Sequence, residues 1–286
     1  MGLRHAHAFS AVGLAIIGVD RNEWARATFA DHGFDAVPDL SDAIGECSHV
    51  VVATPNASHA SVALAALASG LPVLVEKPIA LDLVEASQLV SAFGSGDVPL
   101  YVAHSERFHP AVSHLRDVLG GELIVEARFV RKGPTQTANV SSFLTHAVHD
   151  FDLARWLLGT PLRISTVKKM NDAELVALVN DRGARVSIVS GTQPESRRDI
   201  ELRTRTRTLV ADLVTSTVTI DGASDVLAFR PTFGLEAQAR AFALLSPELA
   251  SGADGLVALA LATEAIVLSK DRATQRTFRD GALVHE

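Results

Sequence analysis

Between Met1 and about Pro110, short apolar runs alternate with segments whose apolar positions recur at the period of an α-helix. The runs Leu14–Val19, Val50–Ala53, Val73–Val75 and Leu100–Ala103 predict strands, and Glu23–His32, His59–Ser69 and Val84–Phe93 predict the helices between them. These runs lack polar alternation, which suits strands buried on both faces of a parallel sheet. Four such strands with crossover helices make a doubly wound α/β sheet the expected fold. Gly33 and Gly70 stand where helices should stop, and Asp39 or Ser41 can open a short helix ending near Gly45.

After Pro110 the pattern changes. A short helix over Pro110–Leu119 ends at Gly120-Gly121, an alternating strand follows over Glu122–Arg131, and Phe143–Leu158 reads as an amphipathic helix stopped by Gly159, with Leu153, Trp156 and Leu157 as core contacts. From Leu162 to Phe229, strand-like runs are separated by Asn171-Asp172, Asp181-Arg182-Gly183 and Asp221-Gly222, which are hairpin signals and predict an open, mainly antiparallel sheet. Helices at about Leu235–Leu245 and Ala253–Lys270 precede a short tail. The expected division is an α/β domain over residues 1–108 and an α+β domain over 109–286.

A chain of 286 residues, 48% hydrophobic, has the length of about two domains and can bury a large core. Its net charge of −7 argues against a nucleic-acid partner, which requires a basic surface. The single cysteine, Cys47, excludes an internal disulfide framework and suits a reducing cytoplasm. The apolar run Ala11–Val19 imitates a signal peptide, but it stops at Asp20-Arg21-Asn22 without a cleavage pattern and reads better as a buried strand. Ala6 stands where a myristoylation signal requires Ser or Thr, and no apolar stretch demands a membrane span, so no membrane partner is expected.

Chemistry concentrates at the strand ends, where open α/β sheets collect ligands. Val50–Val52 runs into the Thr54-Pro55-Asn56 loop and His59, and Val73–Val75 runs into Glu76-Lys77-Pro78. A lysine held beside a hydroxyl and a cationic nicotinamide has its pKa lowered and can exchange a proton during hydride transfer, with Glu76 anchoring a ribose or orienting the lysine. Pro78 fixes the backbone there, with a cis bond as one option. Asp20 ends the first strand, where a carboxylate accepts from ribose hydroxyls or else caps the helix beginning near Glu23, and Arg21 can face a 2′-phosphate. Gly2 is spaced from Asp20 like the last glycine of a G-x-G-x-x-G fingerprint, so the sequence is expected to begin inside that motif. The strand that would precede it is central in the usual order, and its absence would leave both neighbours without ladder bonds.

Three further clusters stand out. His104 and Arg107 close the last parallel strand, the first near a nicotinamide and the second either over an anionic substrate group or in a linker salt bridge. Thr145, His149 and Asp152 share one helical face, and His149 suits proton exchange near neutral pH. A metal reading of His146, His149 and Asp150 lacks a third cluster with ligand spacing. The run Arg203-Thr-Arg-Thr-Arg-Thr208 places three arginines on one strand face, as a phosphate site or as a solvated face neutralised by carboxylates such as Glu201.

Together, Val51-Val-Ala-Thr-Pro-Asn-Ala-Ser-His59, Glu76-Lys77-Pro78, Ala103-His-Ser-Glu-Arg-Phe-His-Pro110 and His149-Asp-Phe-Asp152 resemble the Gfo/Idh/MocA oxidoreductases. The resemblance implies a Rossmann domain over 1–108 and a substrate-binding and oligomerisation domain over 109–286, with NAD or NADP as cofactor, NAD being favoured. It implies oxidation or reduction of a sugar, cyclitol or related hydroxyl, and a homodimer or homotetramer formed through the second-domain sheet. It makes Lys77 and His149 the catalytic pair. Gly2, Asp20, Arg21, Thr54, Asn56, His59, Glu76, Lys77 and His104 fall on the cofactor side, and Lys77, Arg107, Thr145 and His149 on the substrate side. The Glu-Arg-Phe-His-Pro segment resembles members that act on nucleotide-linked sugars. The family often has an aspartate four residues before the catalytic histidine; Thr145 stands there and cannot serve as a carboxylate base. Thr145 and the incomplete fingerprint leave two alternatives: a catalytically silent binding or scaffolding homologue, or a reductase of a non-sugar carbonyl or imine.

Overall fold

The computed structural model describes residues 1–94, 98–134, 141–226 and 233–270. In chain order, α1 (Gly2–Ala11), β1 (Ile17–Val19), α2 (Glu23–Asp31), β2 (Asp35–Val37), β3 (Val50–Val52), α3 (His59–Leu67), β4 (Val73–Val75), α4 (Leu83–Gly94) and β5 (Leu100–Val102) precede α5 (Pro110–Leu119). There follow β6 (Glu126–Gly133), α6 (Val148–Leu158), β7 (Arg163–Lys169), β8 (Ala173–Val179), β9 (Arg185–Thr192), β10 (Arg197–Arg203), β11 (Thr208–Asp212), β12 (Thr217–Ile220) and β13 (Ala223–Val226). Last come α7 (Phe233–Ala243), β14 (Ala250–Ser251) and α8 (Gly252–Lys270). The tail after Lys270 and the end of the strand run at Phe229 lie outside the described residues.

The chain divides into two units, Met1–Phe108 with Arg230–Leu256, and His109–Phe229 with Val257–Glu286. In the first unit β3, β4 and β5 form a parallel set, and β14 adds to β5 antiparallel. The expected single sheet of four parallel strands is divided: β1 pairs in parallel with β2, a strand the sequence pattern passed over, in a separate two-stranded sheet. Among the described residues no strand joins β1 to β3, so each has one edge without a ladder partner. Residues 233–256, expected in the second domain, pack into the first unit. The reason is apolar complementarity: Leu235, Ala239 and Phe242 of α7 close a core with Ala8 and Phe9 of α1, Leu74 of β4 and Phe108. Phe9 and Phe242 meet edge to face at 6.1 Å.

The second unit is an eight-stranded sheet in the order β13-β12-β11-β10-β6-β9-β8-β7, antiparallel except where β6 runs parallel to β9. Phe129, Val176, Ile188 and Ile200 of the sheet are buried with Leu115 of α5, Phe151 and Leu153 of α6, and Ala258, Leu261, Ala262 and Ala265 of α8. Trp156 and Leu157 are partly buried against this core. Among the described residues α8 alone has the length and hydropathy of a membrane span, but a core helix passes the same test and one face of α8 is buried in this unit. The arginine run is a hairpin and not a strand: β10 ends at Arg203 and β11 begins at Thr208. Two of its three arginines are paired with carboxylates, Arg203 with Glu201 at 2.8 Å and Arg207 with Glu122, which favours the solvated-face reading over the phosphate one.

Candidate active site

Register places the candidate residues of the first unit. Val52, Val75 and Val102 lie side by side in β3, β4 and β5, so the residues after them emerge together at the carboxyl edge of the parallel set. Thr54, the Glu76-Lys77-Pro78 turn and His104 are those residues. The ladder continues beyond the strands, because Glu76 N–H donates to the Val52 carbonyl and Ala103 N–H to that of Val75. The Lys77–Pro78 bond is cis.

Glu76 is buried, and both carboxylate oxygens have partners. Oε1 lies 2.7 Å from His5 Nε2, and Oε2 accepts from the backbone N–H of Lys77 at 3.1 Å. Burial works to raise the pKa of Glu76, but the His5 hydrogen bond, the charges of His5 and Lys77, and the Lys77 N–H outweigh it and hold the group below the usual glutamate range. Of the two expected uses, orienting the lysine therefore fits the described bonds better than anchoring a ribose. Sequence reasoning missed His5. It lies one helical turn before the buried Phe9 on α1, and a histidine at that inward position was the available signal.

His59 is almost fully buried. Its Nδ1 lies 2.8 Å from the Pro78 carbonyl and its Nε2 2.9 Å from the Thr54 carbonyl. With both ring nitrogens on protein carbonyls, it ties the two loops together and is a positioning residue, not a direct cofactor contact. Thr54 Oγ1, by contrast, is buried without a hydrogen-bond partner among the described residues, the condition of an atom awaiting a ligand. That orphaned hydroxyl at a strand end, beside a turn carrying a lysine, fits a dinucleotide.

The outlying cofactor candidates are more exposed. Gly2 is the first residue of α1, and Asn56 opens an exposed helical turn. Asp20 does not cap α2; Asn22 does, through the Trp24 N–H, because Asp20 Oδ1 already accepts from the Asn22 N–H at 2.9 Å. Arg21 reaches toward Asp39 at 3.9 Å on the surface. Arg107 is buried, with Asp254 at 3.5 Å and its Nη1 donating to the Glu248 carbonyl at 3.5 Å. A buried, bonded guanidinium fixes residues 248–254 to the first unit, so the salt-bridge reading of Arg107 replaces the substrate-anion reading.

The remaining candidate residues lie in the second unit and are described there by themselves. Phe143–Ala147 is a π-helical turn that leads directly into α6. Thr145 therefore does not stand one regular α-helical turn before His149, as the spacing predicted, and its hydroxyl donates to the Ser141 carbonyl at 3.2 Å. His149 and Asp152 are buried in α6. Asp150 is held by Arg131 of β6 in a two-pronged pair at 2.8 and 2.9 Å, which commits its carboxylate away from metal ligation. Arg131 was also missed, although it falls on the inward side of β6 with Ala127 and Phe129, where a charge needs a partner.

The family described as oxidoreductase family, NAD-binding Rossmann fold (Gfo/Idh/MocA) matches residues 1–104. The match covers the first unit's N-terminal part and shows that this stretch carries the family's NAD-binding fold. The chain is 29% identical over 161 residues to UDP-N-acetylglucosamine 3-dehydrogenase of Acidithiobacillus ferrooxidans, covering 56% of this chain and 51% of that one. It is 34% identical over 164 residues to inositol 2-dehydrogenase of Leifsonia xyli subsp. xyli, covering 54% and 48%. The chain thus aligns with about half the length of the curated relatives it matches. A solved structure of the Acidithiobacillus enzyme matches with a TM-score of 0.83 at 24% identity, over 92% of both chains. Scyllo-inositol dehydrogenase from Lactobacillus casei, solved with NAD(H) and scyllo-inositol, matches with a TM-score of 0.76 at 18% identity, over 92% and 93%. These likenesses establish the shared fold.

Proposed function

We propose that this chain is a nicotinamide-dependent oxidoreductase of the Gfo/Idh/MocA kind acting on a hydroxyl or carbonyl of a sugar, a cyclitol or a nucleotide-linked sugar. The carrying observation is the carboxyl edge of β3, β4 and β5, where register brings the Thr54 hydroxyl, the oriented Glu76 carboxylate and Lys77 together. Thr54, Asn56 and Glu76 border the cofactor position, with Gly2 and the Asp20-Arg21 pair toward its adenosine end; NAD or NADP, when bound, supplies hydride transfer at carbon. In the oxidative direction an uncharged Lys77 Nζ takes the substrate hydroxyl proton with His149 as its partner, and in reduction it returns that proton. Thr145 contributes hydrogen bonding only. Lys77→Met should lower turnover by about a hundred- to ten-thousand-fold while the chain stays folded and binds dinucleotide, and unchanged turnover on a panel of inositols and nucleotide sugars would sink the assignment.

One observation favours a second reading. Among the described residues β1 and β3 lie in separate sheets with no strand joining them, whereas a complete dinucleotide fold has a central strand there. A catalytically silent binding protein would follow if that edge cannot hold a dinucleotide. Calorimetric titration of folded protein with NAD(H) and NADP(H) separates the two, because absence of any binding supports the silent reading. We further propose a homodimer or homotetramer formed through the eight-stranded sheet, which light scattering tests by mass; no nucleic acid or membrane enters this reading.

A further inference from the structure

One face of the eight-stranded sheet is buried against α5, α6 and α8, and the other presents charged side chains. Along β6 the buried Ala127 and Phe129 alternate with Glu126 and Arg128, which therefore stand on that second face. Arg128 is exposed and lies in register between Ser187 of β9 and Glu201 of β10. Glu201 does not engage it, because Arg203 of the same strand holds that carboxylate at 2.8 Å. Among the described residues Arg128 has no hydrogen bond or ion pair, so all of its guanidinium donors remain available. Two residues away, Glu126 meets Arg185 at 3.9 Å and Arg203 at 3.7 Å, too far for hydrogen bonds, and its carboxylate accepts none among the described residues. Glu126, Arg128, Ser187, Glu201 and Arg203 line a hollow of about 240 Å³.

The strip formed by Glu126, Arg128, Arg197, Asp199, Glu201 and Arg203 carries three charges of each sign, and Lys132 at its end is met by Asp172 at 2.8 Å. The chain as a whole carries −7, so two copies repel in general and approach at least cost over this balanced strip. From β11 to β7 the face spans six strands of five to eight residues. At about 4.8 Å between strands and about 3.4 Å per residue that is roughly 700 Å², close to the ~800 Å² each partner gives to a stable interface. We propose that this face is occupied by a second copy of the chain, held by reciprocal ion pairs between Arg128 of one copy and the partner's Glu126. A two-fold interface is self-complementary, so a residue and its target both come from one patch. Glu126 and Arg128 meet that condition: they are opposite in sign, about 7 Å apart on one strand face, and each keeps hydrogen-bonding capacity unused. With β6 antiparallel over the partner's β6, each guanidinium faces the other copy's carboxylate across the about 10 Å at which sheets stack. This inference rests on the sheet-mediated oligomer proposed above and names the chemistry by which its two faces recognise each other.

Sedimentation velocity of the full chain over a concentration series reports the self-dissociation constant, and circular dichroism checks that each variant is folded. Arg128→Glu and Glu126→Arg each turn the reciprocal contacts into like-charge ones, so each alone should weaken self-association by about a hundredfold or more. Mixed in equal amounts the two variants regain both pairs, with acids on one copy and arginines on the other. They should assemble as a heterodimer, seen in native mass spectrometry at a mass midway between those of the two homodimers. If a reversed-charge variant does not fold, Arg128→Gln and Glu126→Gln decide, and each should loosen the dimer by removing one charge of every pair. A wild-type chain that stays monomeric at its highest soluble concentration overturns both the oligomer and this account of it. An oligomer that persists unweakened in the folded variants overturns the reciprocal pairs alone, as does a mixture of the two monomeric variants that forms no heterodimer.

Discussion

Glu76 shows how a buried charge is kept at a strand end. Its pKa is depressed in the folded chain because hydrogen bonds and the neighbouring cations outweigh desolvation. A carboxylate depressed in this way adds stability that is complete above its unfolded pKa and is lost as pH falls through the lower folded value. The stability difference between wild type and Glu76→Gln, measured by urea unfolding, should hold steady near neutrality and shrink in acid; a difference that grows in acid contradicts the assignment. The Arg131–Asp150 pair answers to a different rule. Both side chains are largely buried, so Asp150→Asn leaves the guanidinium without its counter-charge and should cost about 3–5 kcal/mol in chemical denaturation. A cost below about 1 kcal/mol would mean that water already reaches the pair.

At the scale of elements, local chemistry sets the ends and tertiary contact sets the details. His109 caps α5 by accepting the Ala111 N–H at Nδ1, and its Nε2–H donates to the Leu213 carbonyl at 3.1 Å. His109→Ala should cost about 0.5–2 kcal/mol by thermal or chemical unfolding, and a neutral outcome would show that another group takes over the cap. Gly159, at a φ of +63°, ends α6 where a side chain would strain the left-handed backbone, which is why the stop was readable in sequence. Gly191 is constrained by space: a Cβ there would collide with the carbonyl oxygen of Asp172, just before β8, and with Ala173 of β8. Gly191→Ala should destabilise by about 1–3 kcal/mol through forced separation of β8 and β9, again read by denaturation. No alternation pattern announces that approach, and none announced the π-helical turn before α6.

At the scale of the whole molecule, the first unit is completed by chain from far along the sequence. α7 buries Phe242 against Phe9, and β14 pairs with the edge of β5. A fragment ending at Phe108 should therefore expose Phe9, Leu74 and Phe108, bind a hydrophobic dye and unfold without a cooperative transition, whereas a sharp transition would show that α7 and β14 are dispensable. By itself the sequence determined what depends on short-range chemistry. The apolar runs made parallel strands, of which β4 is buried at every position, glycine and asparagine marked helix ends and hairpins, and the Glu76-Lys77-Pro78 segment lies within the stretch that matches the family. The tertiary structure alone decided which partners those residues acquired: His5 on Glu76, His59 across two carbonyls, Arg107 on Asp254, and residues 233–256 in the first unit. Such pairings join positions as distant as Phe9 and Phe242, and periodicity carries no information about which distant group will meet a buried residue.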